Sequence, residues 1–437
     1  MYQNQPLLNL LVRFALLFLQ GIMGMITNRI LETEGRGIVA VLGSWQTVLF
    51  ALCYLSIPFV ILNQYPLKVF KDKAFVGNAF LAALLLGCSA LGLGVCVWFL
   101  CPDWLGNAPV YLFFISLSAI PFLMFQAFIL ALLQIKGKFF VYNLLLILPV
   151  LISLIPTLTL IISGNYTVQY AIFLNVFNGA VAACTSVWIL GHLGILKPAF
   201  NKLLFQKFMT SGLVIHFSAW VMYAISRIDL LMVNYYVGSG GAGVYFLAIM
   251  VVSSMVIIPG TVHSIMFYQY EKAEQEAKIL RLFMVCRITF TLMLILSIII
   301  SASVWVIVMI LGGASFLGAI PLILLMLPGI TFWSIPIVLA SAWTHIGRFK
   351  EVNFLSGIQF VMLIGLNVWL IPVMGAKGAG FSYSLVYITG TLLNLYFIRN
   401  YIPLKSMVDV FFIRSRDLNR IRASVRDVYL GSINKSG

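Results

Sequence analysis

Long apolar runs that are not interrupted by charge constrain this chain more than any other feature. Twelve of them lie at about 7–28, 38–62, 75–100, 109–133, 141–162, 168–190, 211–236, 243–267, 282–311, 319–343, 353–373 and 378–398. Each reaches or approaches the ~20 residues that a helix needs to cross a bilayer core. Only 9% of the 437 residues are charged and 62% are hydrophobic, whereas a soluble chain carries roughly 25% charged residues. The runs are continuous rather than alternating, which excludes a transmembrane barrel. The expectation is an all-α polytopic membrane protein with about 12 transmembrane helices. The leading MYQNQP has no basic cluster and the run after it is too long for a signal peptide, so it reads as a retained first span.

The segments between runs alternate in character. After odd-numbered runs they are short: ETEGRG, CPDWLGNAP, SGNYT, GSGGAG, GGASFLG and GAKGAG. After even-numbered runs they are longer and basic, and with the C-terminal tail they hold 22 of the 27 lysines and arginines. The positive-inside rule then places both termini in the cytoplasm. The net charge of +15 is a signature of topology and of contact with anionic lipids, not of nucleic acid. The six cysteines show no metal-ligand spacing and read as small buried hydrophobes. No cofactor is called for.

One of the short segments is repeated. Residues 28–37 read NRILETEGRG and residues 234–243 read NYYVGSGGAG, which at an offset of 206 pairs Asn28 with Asn234, Gly35 with Gly241 and Gly37 with Gly243. Leu31/Val237 and Thr33/Ser239 are conservative pairs. A second echo sets Gly137, Lys138, Phe139 and Asn143 against Gly347, Arg348, Phe349 and Asn353. Six runs separate the two copies, so the halves have parallel topology. This predicts two parallel six-helix bundles, residues 1–200 and 201–400, related by a pseudo-two-fold along the membrane normal, with a central cavity between them. The shared glycines are expected to turn the chain sharply between spans, with Asn28 and Asn234 satisfying helix-end carbonyls. The charges of the first copy, Arg29, Glu32, Glu34 and Arg36, are expected in water or pairing across the halves at an outer gate.

Outside the spans, residues 268–281 read as a helix linking the eighth and ninth runs, with Glu274 and Lys278 one turn apart. In 401–437, Phe411, Leu418 and Val425 recur every seven residues among arginines. That pattern fits a basic amphipathic helix lying on the inner leaflet.

Ionisable residues inside spans are costly and therefore candidates for function. Arg227 and Asp229 lie deep in the seventh run. Two residues apart, they point to different faces of a helix, and each needs a partner or a wet cavity; a structural pair of Asp229 with Arg13 is the competing account. Arg13 lies two turns into the first run, where it can also snorkel. His216 can titrate near neutral pH or hydrogen-bond a carbonyl. No metal cluster, phosphate-binding loop or exposed carboxylate pair is present, so no catalytic residue is assigned and the chain does not read as an enzyme.

The EGRG turn after the first run, RIDLL in the seventh, the glycine-rich turn and VYFLAIMVVSS after it, and twelve spans in two parallel halves together resemble the polysaccharide transporter family. This family belongs to the multidrug/oligosaccharidyl-lipid/polysaccharide exporter superfamily, which also contains the MATE drug exporters. The resemblance covers residues 7 to 400. It implies alternating access in a bacterial inner membrane and an O-antigen-type flippase for surface polysaccharide or lipopolysaccharide synthesis. The implied cargo is an undecaprenyl-diphosphate-linked oligosaccharide, with polymerase and glycosyltransferases of the same pathway as neighbours. It also implies a cationic cavity, to which Arg227 and Arg13 would contribute as diphosphate ligands, while Asp229 and His216 would set coupling or gating. Guanidinium forks suit phosphate oxygens, and the sugars would be met by Asn, Gln, Tyr and Trp. A MATE-type cation antiporter is the alternative, disfavoured because the first half has no carboxylate within a span. A flippase of the peptidoglycan precursor would be expected to have two further spans. A membrane glycosyltransferase or polymerase would be expected to have a long catalytic outer loop.

Overall fold

A computed structural model describes residues 5–195, 199–270, 275–401, 410–413 and 417. Among these residues there is no strand. The helices in chain order are α1 (Gln5–Cys53), α2 (Ile57–Gln64), α3 (Asp72–Leu100), α4 (Val110–Leu117), α5 (Ile120–Ile135), α6 (Phe139–Ile162), α7 (Val168–His192), α8 (Lys202–Val237), α9 (Ser239–Ser254), α10 (Ile257–Tyr270), α11 (Gln275–Leu311), α12 (Ala319–Ile346), α13 (Phe349–Met374) and α14 (Ala376–Ile398). Helices satisfy every backbone group within the segment, which a lipid environment demands.

Ten stretches are long and apolar enough to cross a membrane. All twelve expected spans have a helical counterpart, because α1 holds the first and most of the second and α8 holds the seventh. The outward surface is apolar, with Phe99, Ile155, Ile162, Val361 and Trp369 all more than half exposed. The chain is a multi-pass membrane protein. Four of the six cysteines (Cys88, Cys96, Cys101 and Cys184) are exposed and only Cys53 and Cys286 are buried. The expectation of six buried thiols thus fails for four of them, because a small apolar side chain is as compatible with lipid as with a core.

Two compact units divide the chain, and the divisions fall within helices. The first comprises residues 1–249, 305–322 and 356–382; the second comprises 250–304, 323–355 and 383–437. In the first, the α3 residue Gly87 packs on the ring of Pro121 near the start of α5, and α1 packs chiefly along α8. In the second, Leu282, Cys286 and Phe290 of α11 meet Ile335, Leu339 and Trp343 of α12 and Leu395 of α14 in a buried core.

That second core includes the tail. Val410 is fully buried in it. The Phe411 ring lies 5.0 Å from that of Phe290 and 5.5 Å from that of Phe332. Further on, Asp417 receives two hydrogen bonds from the Arg287 guanidinium, at 2.7 and 2.8 Å, and both side chains are less than 10% exposed. The remainder of the expected interfacial helix (402–409, 414–416 and 418–437) lies outside the described residues, as do 271–274 of the expected linking helix.

The chain reversal between the first two spans does not use the glycines assigned to it. Gly35, Gly37, Gly241 and Gly243 all have negative φ. The helix instead breaks at Glu32, with φ 54 and ψ −165, and in the second copy at Gly238, with φ 92 and ψ 174. These positions are 206 apart, so the repeat preserves the break while changing its residue. The region is one that essentially only glycine occupies without strain. Glu32→Gly is therefore expected to stabilise the protein by about 1 kcal/mol, the relief of strain exceeding the added unfolded-state entropy. A rise in the thermal midpoint of detergent-purified protein would register it; a fall would show that the Glu32 side chain contributes more than its backbone costs.

The shared glycines serve packing. A Cβ on Gly37 would lie 1.7 Å from the Ser239 carbonyl oxygen, and one on Gly243 would lie 1.9 Å from that of Thr33. The contact is reciprocal: 37 against 239 and 243 against 33 are one relation read from both copies. The short-turn ends of α1's second segment and α9 thus touch backbone to backbone about a local two-fold.

Candidate functional site

Helix α8 carries three of the four ionisable candidates, and both of its ends are held by asparagines. At its start, Asn201 caps the Leu204 N–H at 2.9 Å. Asn78 of α3 bonds Asn201 reciprocally, donating to its carbonyl at 2.9 Å and accepting its N–H at 3.1 Å. At its end, the Asn234 amide donates to the Trp104 carbonyl at 3.2 Å, and Trp104 stacks on Tyr235. Asn28 does the same for α11, donating to the carbonyl of its last residue, Leu311, at 3.1 Å. Both asparagines therefore occupy carbonyls left open at helix ends.

Between these anchors the helix has two polar faces. On one, Asp229 is 1% exposed. Its carboxylate accepts from the Tyr245 hydroxyl of α9 at 2.8 Å and from the Leu230 N–H at 2.7 Å. Arg227 points elsewhere, as their spacing of two requires. Among the described residues neither forms an ion pair within 4 Å, and the Arg227 Nε is buried without a hydrogen-bond partner. Arg13 lies on the first segment of α1; its side chain is outside the described set.

His216 lies at the break in the second span. Leu55 and Ser56 adopt left-handed φ of 49 and 48, so α1 ends at Cys53 and α2 begins at Ile57, beside Pro58. The interruption frees carbonyls of the last turn of α1, and the His216 Nε2 meets one of them, Leu52 O, at 2.8 Å. A carbonyl only accepts, so Nε2 carries the proton. Gly212, one turn earlier on α8, leaves room for the Leu55 carbonyl, which a Cβ there would meet at 2.2 Å. The eighth span is interrupted at the corresponding place, at Met255 and Val256 just ahead of Pro259 in α10, there by tight turns without left-handed φ. The two breaks are 200–201 residues apart, not 206, which hides their equivalence in an ungapped comparison.

Of the charges of the opening motif, Arg29, Glu32 and Glu34 are exposed and Arg36 is not. Arg29 donates to the Met309 and Ile310 carbonyls at 3.0 and 3.1 Å, adding a cation to the negative end of α11. Arg36 packs over the Phe246 ring of α9 at 4.7 Å, with its Nε buried and unpartnered. Glu34 accepts from Asn107 at 3.4 Å. These groups form no Arg–Glu pairs within 4 Å among the described residues: a guanidinium can serve helix-end carbonyls and an aromatic face without a carboxylate.

No protein-family model and no curated protein sequence matches this chain. Solved structures do. An inward-facing multidrug resistance MATE family transporter of the MOP superfamily superposes with a TM-score of 0.70 at 12% identity, over 90% of this chain and 98% of its own. The lipid II flippase MurJ, in an inward closed conformation, gives 0.69 at 16% identity, over 89% and 87%. The likeness is one of fold. A MOP superfamily transporter from Pyrococcus furiosus, described as having a binding pocket of reversed polarity, gives 0.56 at 11% identity, over 91% and 94%. The fold is thus the one shared by MATE family transporters of the MOP superfamily and the lipid II flippase MurJ.

Proposed function

We propose that this protein is a flippase that moves undecaprenyl-diphosphate-linked oligosaccharide units from the cytoplasmic to the periplasmic leaflet of a bacterial inner membrane for surface polysaccharide synthesis. It works by alternating access of two six-helix halves, with both termini cytoplasmic. The observation that carries this reading is Arg227: a guanidinium within α8 that makes no ion pair within 4 Å among the described residues, in a fold shared with transporters and with MurJ. A fixed cation of this kind in a low-dielectric setting suits a diphosphate, and Arg13 is its proposed companion. The MATE-type antiporter reading would need an available carboxylate, and the one acidic side chain deep in α8, Asp229, is already engaged by Tyr245 and a backbone amide. Asp229 and His216 are proposed to set coupling and gating, His216 by holding the broken second span to α8. Flipping makes and breaks no covalent bond.

Arg227→Ala is expected to lower flipping of a fluorescent undecaprenyl-diphosphate-linked saccharide in proteoliposomes by at least about a hundredfold, with Arg227→Lys recovering only part because the fork geometry is lost. The readout is the fraction of probe accessible to an impermeant quencher. Wild-type rates in Arg227→Ala would remove this residue from the site. Absence of flipping in the wild type, with transport of an organic cation instead, would favour the antiporter.

A further inference from the structure

The face of α8 that bears Arg227 carries more than charge. His216, Trp220, Tyr223 and Arg227 are spaced i, i+4, i+7 and i+11, which stacks them in one stripe. Three nitrogens of this stripe are buried with no hydrogen-bond partner among the described residues: His216 Nδ1, Trp220 Nε1 and Arg227 Nε. Tyr223, between them, is 43% exposed. Its hydroxyl and that of Tyr142 on α6 lie within electrostatic reach of Tyr54, the residue that follows α1 at the break in the second span. Trp220 packs edge-on to Phe360 at 5.7 Å, which holds the indole plane fixed.

A single unpaired polar nitrogen in a span is a local defect. Three along one stripe, two of them donors and one an acceptor, with three tyrosines around it, cannot face hydrocarbon, because each desolvated and unpaired group raises the free energy of the protein. A ligand that presents many hydroxyls, each both donor and acceptor, recovers that cost by pairing them, and its apolar C–H faces suit rigid aromatic rings. Hydrocarbon tails offer no acceptors and an isolated phosphate offers no apolar face. The chemistry that answers both is a pyranose.

We propose that the stripe is a saccharide subsite contiguous with Arg227, in which the Trp220 indole N–H and the Tyr223 hydroxyl position sugar hydroxyls while Arg227 holds the diphosphate. This rests on the flippase reading and deepens it, since it assigns sugar discrimination to residues other than the cation. His216, with Nε2 committed to Leu52, offers Nδ1 as an acceptor in the same row.

Binding of two probes separates this inference from the reading beneath it. The probes are undecaprenyl diphosphate and undecaprenyl-diphosphoryl-N-acetylglucosamine, titrated into the full-length protein in nanodiscs. The wild type is expected to bind the sugar-bearing lipid at least about tenfold more tightly. Trp220→Phe with Tyr223→Phe keeps both rings and removes both donors; it is expected to abolish that ratio while binding undecaprenyl diphosphate as the wild type does. Arg227→Ala is expected to weaken both lipids together. A ratio that survives in the double variant, or a wild type that binds both lipids equally, overturns the saccharide subsite and leaves the flippase reading standing. A wild type that binds neither lipid overturns the flippase reading and the subsite with it.

Discussion

Gly37→Ala is expected to destabilise the protein by about 3 kcal/mol, at the upper end of what one added methyl group does in a packed interior. The added Cβ would stand 1.7 Å from the Ser239 carbonyl oxygen and 2.6 Å from its carbon. Both are backbone atoms in the first turn of α9, so no side-chain rotation relieves the overlap. The helices must separate by about 1.5 Å to restore an ordinary C···O contact. Gly243→Ala meets Thr33 through the mirror relation and is expected to cost a similar amount. Together the two should cost clearly less than their sum, since either one alone opens the seam for both. Gly43→Ala, six residues further along α1 with nothing within 4 Å of its added Cβ, is the control and should be neutral or mildly stabilising. Thermal unfolding of the four variants in detergent measures all of this; strict additivity would show that the two glycines do not share one contact.

The second large effect belongs to the tail. Asp417→Ala leaves the Arg287 guanidinium buried without the carboxylate that receives two of its N–H groups, and a loss of about 3–5 kcal/mol is expected. Replacing Arg287 by Met and Asp417 by Leu together should restore most of it, because two buried charges have been exchanged for apolar bulk. Chemical denaturation of the single and double variants gives the coupling directly. A single-variant loss below about 1 kcal/mol would mean that the pair is solvated, not buried.

Much of the architecture was legible because the bilayer permits few solutions. Apolar run length gives spans, and all twelve expected spans have helical counterparts here. The sequence also located Arg227 and Asp229 on different faces of one helix, which follows from helical pitch alone. It missed what depends on gaps and on neighbours. Equivalent breaks in the second and eighth spans escape an ungapped offset, since five or six residues are missing between the motif and the break in the second half. Trp220 and Tyr223 are common residue types in membrane spans; their places in the stripe could have been read from spacing, but only the unpaired nitrogens single that stripe out. Arg36 reads as a loop charge from its neighbours Glu32 and Glu34, and only the approach of α9 puts Phe246 under it.

The sequence by itself determined that this chain is helical, spans a membrane many times and repeats a ten-residue motif at an offset of 206, because hydrophobic run length and covalent order are properties of the chain. The tertiary structure decided what the motif is for. Its glycines do not turn the chain, since Glu32 and Gly238 do; they let two helices meet without side chains between them. It also decided that the Asp229 carboxylate is engaged by Tyr245 and a backbone N–H, while Arg227 makes no ion pair within 4 Å among the described residues. Those distinctions depend on which backbone or hydroxyl lies within about 3 Å, and no pattern along one chain states that.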